Sequence, residues 1–315
     1  MKKNAYLFPG QGAQYSGMGK DFSSSFAIAR ETFEEADEIL GLNLSKIIFE
    51  GPEDVLVQTK YSQVAIFVNS IAILRVIQQQ IPDLRPFVCA GLSLGEYSAL
   101  CASGKLPFQE TLQLVQKRAQ FMNEACEKVP GTMAVVLGLN ESQVVSALKG
   151  ISGIWVANYN CPGQIVISGT KEGVEKGSEA LKSSGAKRIL PLSVSGAFHS
   201  GLMQIAQDAL QPHVLAAPIH ETEVKLVMNV PGAFVEDLEE IRQHLISQVT
   251  KSVRWEQGIL AMQEQGMDLY LEIGPGKTLS GMNRKIGVTG LVLSVDKLAD
   301  LDEVAKQIEG VKCSC

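Results

Sequence analysis

The chain opens on a short apolar run, Asn4–Phe8, that stops at Pro9-Gly10. An apolar run closed by a breaker pair predicts a strand and then a turn. Beyond a loop rich in Gly and Gln, residues 10–19, helical patterns fill residues 25–40 and 63–80. Residues 87–90 form a second short apolar run, and a helix-like stretch follows at 96–102. Phe108–Lys128 reads as a long helix. Its apolar stripe falls on Leu114, Val115, Phe121, Met122 and Ala125, and Pro130-Gly131 ends it.

The next segment changes rhythm. Thr132–Leu137 predicts a strand and Glu141–Leu148 a short helix. Residues 154–158 and 164–168 predict two strands around the Pro162-Gly163 turn; Lys171–Ser183 predicts a helix and 187–194 a last strand. That order, β-α-β-β-α-β, is the split unit of ferredoxin-like folds. Helical patterns resume near 202–213, 237–249 and 255–265, and 268–273 predicts a buried strand before Gly274-Pro275-Gly276. The expected fold is therefore α/β: a large domain with a parallel sheet, residues 1–129 and 196–315, and an inserted ferredoxin-like subdomain, residues 130–195. Reactive groups are expected at the cleft between the two.

Bulk composition narrows the function classes. The 315 residues are 45 % hydrophobic and 20 % charged, with a net charge of −6. That balance is globular and lacks the basic footprint of a nucleic-acid binder. The longest apolar stretch, 64–74, is interrupted by Asn69 and Ser70 and is too short to span a bilayer. Met1-Lys2-Lys3 resembles the start of a secretory signal, but the apolar residues after it stop at Pro9. A cytoplasmic protein is expected, with no membrane partner. Six cysteines, at 89, 101, 126, 161, 313 and 315, form no C-x-x-C pair, and no histidine lies beside Cys313 and Cys315 to complete a metal site. They are expected to be reduced.

Candidate chemistry starts at Gly91-Leu92-Ser93-Leu94-Gly95, a G-x-S-x-G pentapeptide between the second strand and the helix after it. Strand, tight turn and helix in that order form a nucleophile elbow, which exposes the serine hydroxyl at the end of the sheet. The helix start offers free N–H groups to an oxyanion. The alternative for the pentapeptide is a glycine-rich turn with a capping serine.

A serine needs a base. His213, His220 and His244 sit among polar or helix-surface residues and read as solvated. His199 lies in a loop of small residues at the junction of the two domains, where a substrate or a backbone can approach closely. No carboxylate stands beside it, so a Ser93–His199 dyad is expected, the imidazole tautomer being fixed by a carbonyl or an amide.

Arg118 falls on the apolar face of Phe108–Lys128, four residues from Leu114 and from Met122. A guanidinium there is costly unless an anion meets it. Either it pairs with Glu96 or Glu124 or snorkels at the helix edge, or it holds a free carboxylate on an acyl group. Gln11, one residue past the first strand's end at Pro9-Gly10, lines the sheet edge where active sites lie, and its N–H is a second oxyanion donor beside that of Leu94. Neither phosphate-loop pattern fits, since Gln14 and Tyr15 stand where glycines are required.

Together these residues resemble the malonyl-CoA:acyl carrier protein transacylase family. The resemblance rests on Phe8-Pro9-Gly10-Gln11-Gly12-Ala13-Gln14, Gly91 to Tyr97, Lys117-Arg118-Ala119 and Gly196-Ala197-Phe198-His199-Ser200. It extends to Asn158 through Gln164, Gln248 through Val253-Arg254-Trp255, and Glu272-Ile273-Gly274-Pro275-Gly276. It implies that Ser93 carries the malonyl group, that His199 is general base and then acid, and that Arg118 holds the malonyl carboxylate. It also implies that the N–H groups of Gln11 and Leu94 form the oxyanion hole and that Gln248 orients His199 through its main-chain carbonyl. Phe198 resembles the malonyl-selecting version of its loop, leaving little room for an α-methyl branch. Leu92 departs from the family, many of whose members carry histidine before the nucleophile.

The expected reaction is ping-pong transfer of malonyl from malonyl-CoA to the phosphopantetheine thiol of acyl carrier protein, for fatty acid synthesis, by a monomer that needs no cofactor. Carrier proteins of this kind are acidic, so Lys187, Arg188, Arg284 and Lys285 are expected to contribute to docking. Two rivals stand beside this reading. A serine esterase would use water as acceptor, and a carrier-binding scaffold would have lost the chemistry.

Overall fold

In the computed structural model the described residues, 2–194 and 196–312, build two sheets wrapped by helices. Ser195, Cys313 and Cys315 lie outside the described residues. The strands are β1 Asn4–Phe8, β2 Val88–Gly91, β3 Thr132–Leu137, β4 Ile154–Cys161, β5 Gln164–Gly169, β6 Arg188–Pro191, β7 Lys225–Met228, β8 Ala233–Val235, β9 Val253–Arg254, β10 Leu269–Ile273 and β11 Leu291–Val295.

The larger sheet runs β11-β10-β1-β2-β7-β8. Its first four pairings are parallel, and only the edge pair β7–β8 is antiparallel. β1, β2 and β10 are buried along their whole length, as strands covered on both faces must be. The smaller sheet runs β6-β3-β5-β4-β9. β3 to β6 carry the expected βαββαβ order and pair antiparallel. β9 arrives from elsewhere in the chain and adds parallel to β4.

Three expectations change. The sheet is mixed at its edge, because β8 turns back on β7. β7 itself was not expected: four residues between loops carry little periodicity, and the strand is fixed by pairing with β2 rather than by its own pattern. The apolar stretch 64–74 belongs to a helix of 22 residues, Thr59–Gln80, which by length and composition is enough to cross a bilayer. Here it is the central core helix, buried over most of its length, with Val64, Ile66, Phe67, Ile71 and Ile73 in one cluster with Phe8, Leu94 and Met122. A helix apolar on all sides belongs inside a large core.

Candidate active site

Chain geometry at the end of β2 explains the pentapeptide. Ser93 sits at φ 54°, a left-handed conformation that costs a non-glycine residue roughly 1–3 kcal/mol. A Cβ on Gly91 would lie 1.9 Å from the carbonyl carbon of Gly95, and one on Gly95 would lie 2.1 Å from the Phe8 oxygen. Only hydrogen fits at either place, so the turn can fold tightly against β1. It is closed by Gly95 N–H to the Leu92 carbonyl at 3.0 Å and Glu96 N–H to the Ser93 carbonyl at 3.1 Å. The helix Gly95–Ala102 starts there, and the N–H of Leu94 at its N-cap finds no acceptor among the described residues.

His199 is the other non-glycine residue with positive φ among those described, at 56°. Its Nε2 lies 2.8 Å from Ser93 Oγ and its Nδ1 lies 2.8 Å from the Gln248 carbonyl oxygen. A carbonyl can only accept, so Nδ1 carries the hydrogen and Nε2 is left to accept from the serine. Burial, with the Arg118 charge adding to it, pushes the imidazole down to about 4, against the pull of the Gln248 carbonyl. His199 is therefore neutral at pH 7 and competent as a base. The small residues around it make room for protein rather than for substrate. A Cβ on Gly196 would meet Cys126 Sγ at 2.1 Å, and one on Gly201 would meet the Trp155 ring at 2.8 Å. Phe198 is buried beside it. Of the other histidines, His213 and His220 are exposed, whereas His244 is half-buried rather than solvated, and burial lowers its basicity.

Arg118 is 1 % exposed. Its guanidinium donates to Gln63 Oε1 at 2.5 Å, to Gln248 Oε1 at 2.8 Å and to Ser93 Oγ at 3.1 Å. The Tyr97 ring lies 5.4 Å beneath it. No carboxylate forms an ion pair with it among the described residues. Glu124 is half-buried and takes a hydrogen bond from Gln120 instead. Glu96 is buried nearby and acts on Arg118 electrostatically, but its oxygens are taken by the N–H of Asn229 and the amide of Gln248, both at 2.6 Å. Arginine stays charged even in apolar surroundings. Arg118 is thus a buried cation that meets no carboxylate in an ion pair among the described residues and lies against the Ser93 hydroxyl.

Gln11 joins this group through Gln63, whose amide bonds to Gln11 Oε1 at 3.5 Å and whose Oε1 bonds to Arg118. Ser93, His199, Arg118 and Gln248 thus touch directly, with Gln11 one residue removed and Leu94 and Phe198 adjacent in the chain. Sequence reasoning missed Gln63 and Asn229. Asn229 follows β7 and takes the Ser93 N–H on Oδ1 at 2.7 Å while donating to the Gly91 carbonyl at 2.7 Å. The signal for Gln63 was a long polar side chain directly before the apolar run of residues 64–68. Among the described residues no cluster of histidine, cysteine and acidic side chains fits a metal ion.

The four basic residues are all exposed. Lys187 packs over Gly138, whose N–H bonds the Gly163 carbonyl at 2.9 Å. Burial pushes the Cys161 thiol up, and the nearby Lys285 ammonium pulls the other way. Arg284 donates to the Val292 carbonyl at 3.1 Å. Leu92 is partly buried and packs against the apolar cluster to which Cys161, Trp255 and Met282 belong.

Comparisons with known proteins agree with this geometry. A family model described as an acyl transferase domain matches residues 5–287. The malonyl CoA-acyl carrier protein transacylase of Bacillus subtilis is 42 % identical over 290 residues, 91 % of each chain. That of Escherichia coli K12 is 38 % identical over 289 residues, 91 % of this chain and 93 % of its own. A solved transacylase of the same name from Clostridium perfringens superposes with a TM-score of 0.92 at 38 % identity, over 99 % of this chain and 98 % of that one. A malonyl-transacylase solved in complex with its type II polyketide synthase acyl-carrier protein gives 0.92 at 37 % identity, over 97 % of this chain and all of that one.

Proposed function

We propose a specific reaction for a chain that belongs to the acyl transferase domain family: it moves malonyl from malonyl-CoA to the phosphopantetheine thiol of acyl carrier protein, supplying fatty acid synthesis. The observation that carries this reading is the unpaired, buried Arg118 guanidinium 3.1 Å from Ser93 Oγ. A neutral ester would give that charge nothing to bind, so the esterase reading is disfavoured. An intact Ser93–His199 contact disfavours the inactive scaffold.

Ser93 Oγ attacks the thioester carbonyl as its proton passes to His199 Nε2. The Leu94 and Gln11 N–H groups hold the oxyanion, and Arg118 holds the distal carboxylate through N–H donors in the plane of its guanidinium. The carbon–sulfur bond breaks, and CoA leaves as a thiol with the proton from His199. The carrier thiol then attacks the malonyl-serine ester, giving its proton to His199, and Ser93 recovers it as the new thioester forms. Gln248 keeps the imidazole in the required tautomer. Phe198 narrows the space beside the α-carbon of the acyl group. No metal or redox cofactor enters this scheme.

The element order and antiparallel pairings of β3 to β6 support a ferredoxin-like subdomain at residues 130–195, set into a large domain of residues 1–129 and 196–315. One chain supplies every group used, which fits a cytoplasmic monomer that meets its carrier transiently, and the carrier complex of the similar malonyl-transacylase supports that partner. The test is Arg118→Ala assayed on malonyl-CoA and acetyl-CoA. Malonyl transfer should fall about a hundredfold or more, as when one half of a buried charge pair is removed, and the preference for acetyl should rise. An unchanged malonyl preference refutes the assignment.

A further inference from the structure

The hydrogen bonds behind the reactive side chains converge on one carboxylate. Glu96, 1 % exposed, follows the second glycine of the elbow. Its Oε1 accepts the backbone N–H of Asn229 and its Oε2 accepts the side-chain amide of Gln248. Asn229 grips the elbow at Gly91 and Ser93. Gln248 donates from the same nitrogen to the Ser93 carbonyl at 3.0 Å, offers Oε1 to Arg118 and offers its main-chain carbonyl to His199.

Both groups facing Glu96 are donors. An ionised carboxylate accepts from both; a protonated acid, or a glutamine, sets a donor against one of them. The Asn229 backbone cannot turn round, but the Gln248 amide can. Its half-turn would satisfy residue 96, place the amide nitrogen against the Arg118 nitrogen, and leave the Ser93 carbonyl facing an oxygen. We infer that Glu96 is the positioning residue that fixes the Gln248 amide and, through it, holds Arg118 in register with Ser93 to receive the acyl carboxylate. This rests on the malonyl-transfer reading given above.

The charged and titratable neighbours are Arg118 from Phe108–Lys128 and Tyr97 on the same helix as Glu96. Burial pushes the Glu96 carboxyl up to about 7, against the Asn229 N–H, the Gln248 amide and Arg118. His199 titrates far lower, at about 4. The two ionisations should therefore separate between KM and kcat.

The experiment measures both constants for the full chain and for Glu96→Gln, with malonyl-CoA and acetyl-CoA, between about pH 5 and pH 8. In the wild type, KM for malonyl-CoA should rise as pH falls through about 7, while kcat holds until His199 begins to protonate. Acetyl-CoA bears the same phosphates but no carboxylate, so its KM should show no such break. In Glu96→Gln the malonyl KM should be raised about tenfold or more at pH 8 and be flat with pH, the loss expected for one charge-assisted hydrogen bond. Equal losses for both substrates, or a variant with the wild-type KM and break, overturn the inference. If the variant fails to fold, the wild-type profile decides alone, a flat malonyl KM counting against Glu96. A wild type that forms no malonyl ester on Ser93 overturns the reaction itself, an outcome separable from a flat KM in an enzyme that acylates normally.

Discussion

Two strand-to-helix crossings of the larger sheet are built to the same plan and do different things. β2 crosses through Gly91 and Gly95 into Gly95–Ala102; β10 crosses through Gly274 and Gly276 into Thr278–Ile286. Each hides a glutamate that accepts two hydrogen bonds. Glu272 takes the Leu279 and Ser280 N–H groups of its own helix at 3.0 and 2.7 Å, a local cap. Glu96 takes groups from β7's end and from residue 248, distant in the chain. At β10 the left-handed angles fall on glycines; at β2 one falls on Ser93. The β10 crossing fixes a helix with residues nearby in sequence. The β2 crossing spends strain and long-range bonds to hold one hydroxyl against an imidazole and a guanidinium.

The largest expected effect separates the crossings by chemistry. Ser93→Ala should abolish the labelled ester formed with malonyl-CoA, read by peptide mapping, while the protein still folds. Label that persists on another residue would move the nucleophile away from the elbow.

Next comes backbone space. Gly91→Ala places a carbon 1.9 Å from Gly95, which neither flexible side chain nor solvent can relieve, so a loss of more than about 4 kcal/mol is expected, with little soluble protein. Gly276→Ala at φ 80° meets only Ala13 Cβ at 4.0 Å, and the left-handed strain alone should cost about 1–2 kcal/mol. Denaturant unfolding of the two variants checks the ordering, and equal losses would erase the distinction.

A third test exchanges the two glutamates' roles. Glu272→Gln removes an acceptor from its helix start and should cost about 1–2 kcal/mol of stability, with KM for malonyl-CoA unchanged. Coupling of Glu272 to KM would show that the second crossing also serves the site.

What could be read beforehand follows the same division. The elbow, the helix that carries Arg118 and the βαββαβ order were legible because glycine pairs and apolar periodicity act over a few residues. Thr132–Leu137, Glu141–Leu148 and Lys171–Ser183 were read with their observed bounds. β7 was not, since Lys225–Met228 becomes a strand only through its neighbour β2. The Arg118 environment was legible as a question: the sequence marked a cation on an apolar face and left Glu96 and Glu124 open as partners. Only the fold shows Glu96 already bonded to Asn229 and Gln248, with Arg118 left unpaired. Gln63 and Asn229 escaped because a buried polar side chain declares its need for a partner but not who supplies it.

The smallest expected effect lies on the outside of the second crossing. Thr278–Ile286 carries Arg284 and Lys285 in its last turn, both exposed, with Lys285 near Cys161 at the end of β4. Arg284 already donates to a carbonyl of β11, so Lys285 is the freer charge of the two for an acidic carrier. Exposed charges steer encounter more than they hold a complex, and salt screens them over about 8–10 Å. Lys285→Glu should therefore raise KM for the carrier protein about threefold to tenfold at low salt. The difference should shrink toward none at about 0.5 M salt, because screening then hides either sign of charge. KM for malonyl-CoA and the rate of ester formation on Ser93 should not change, since acylation precedes the carrier. A variant that slows acylation as well would show that this helix reaches the chemistry, and the second crossing could then no longer be treated as structural support alone.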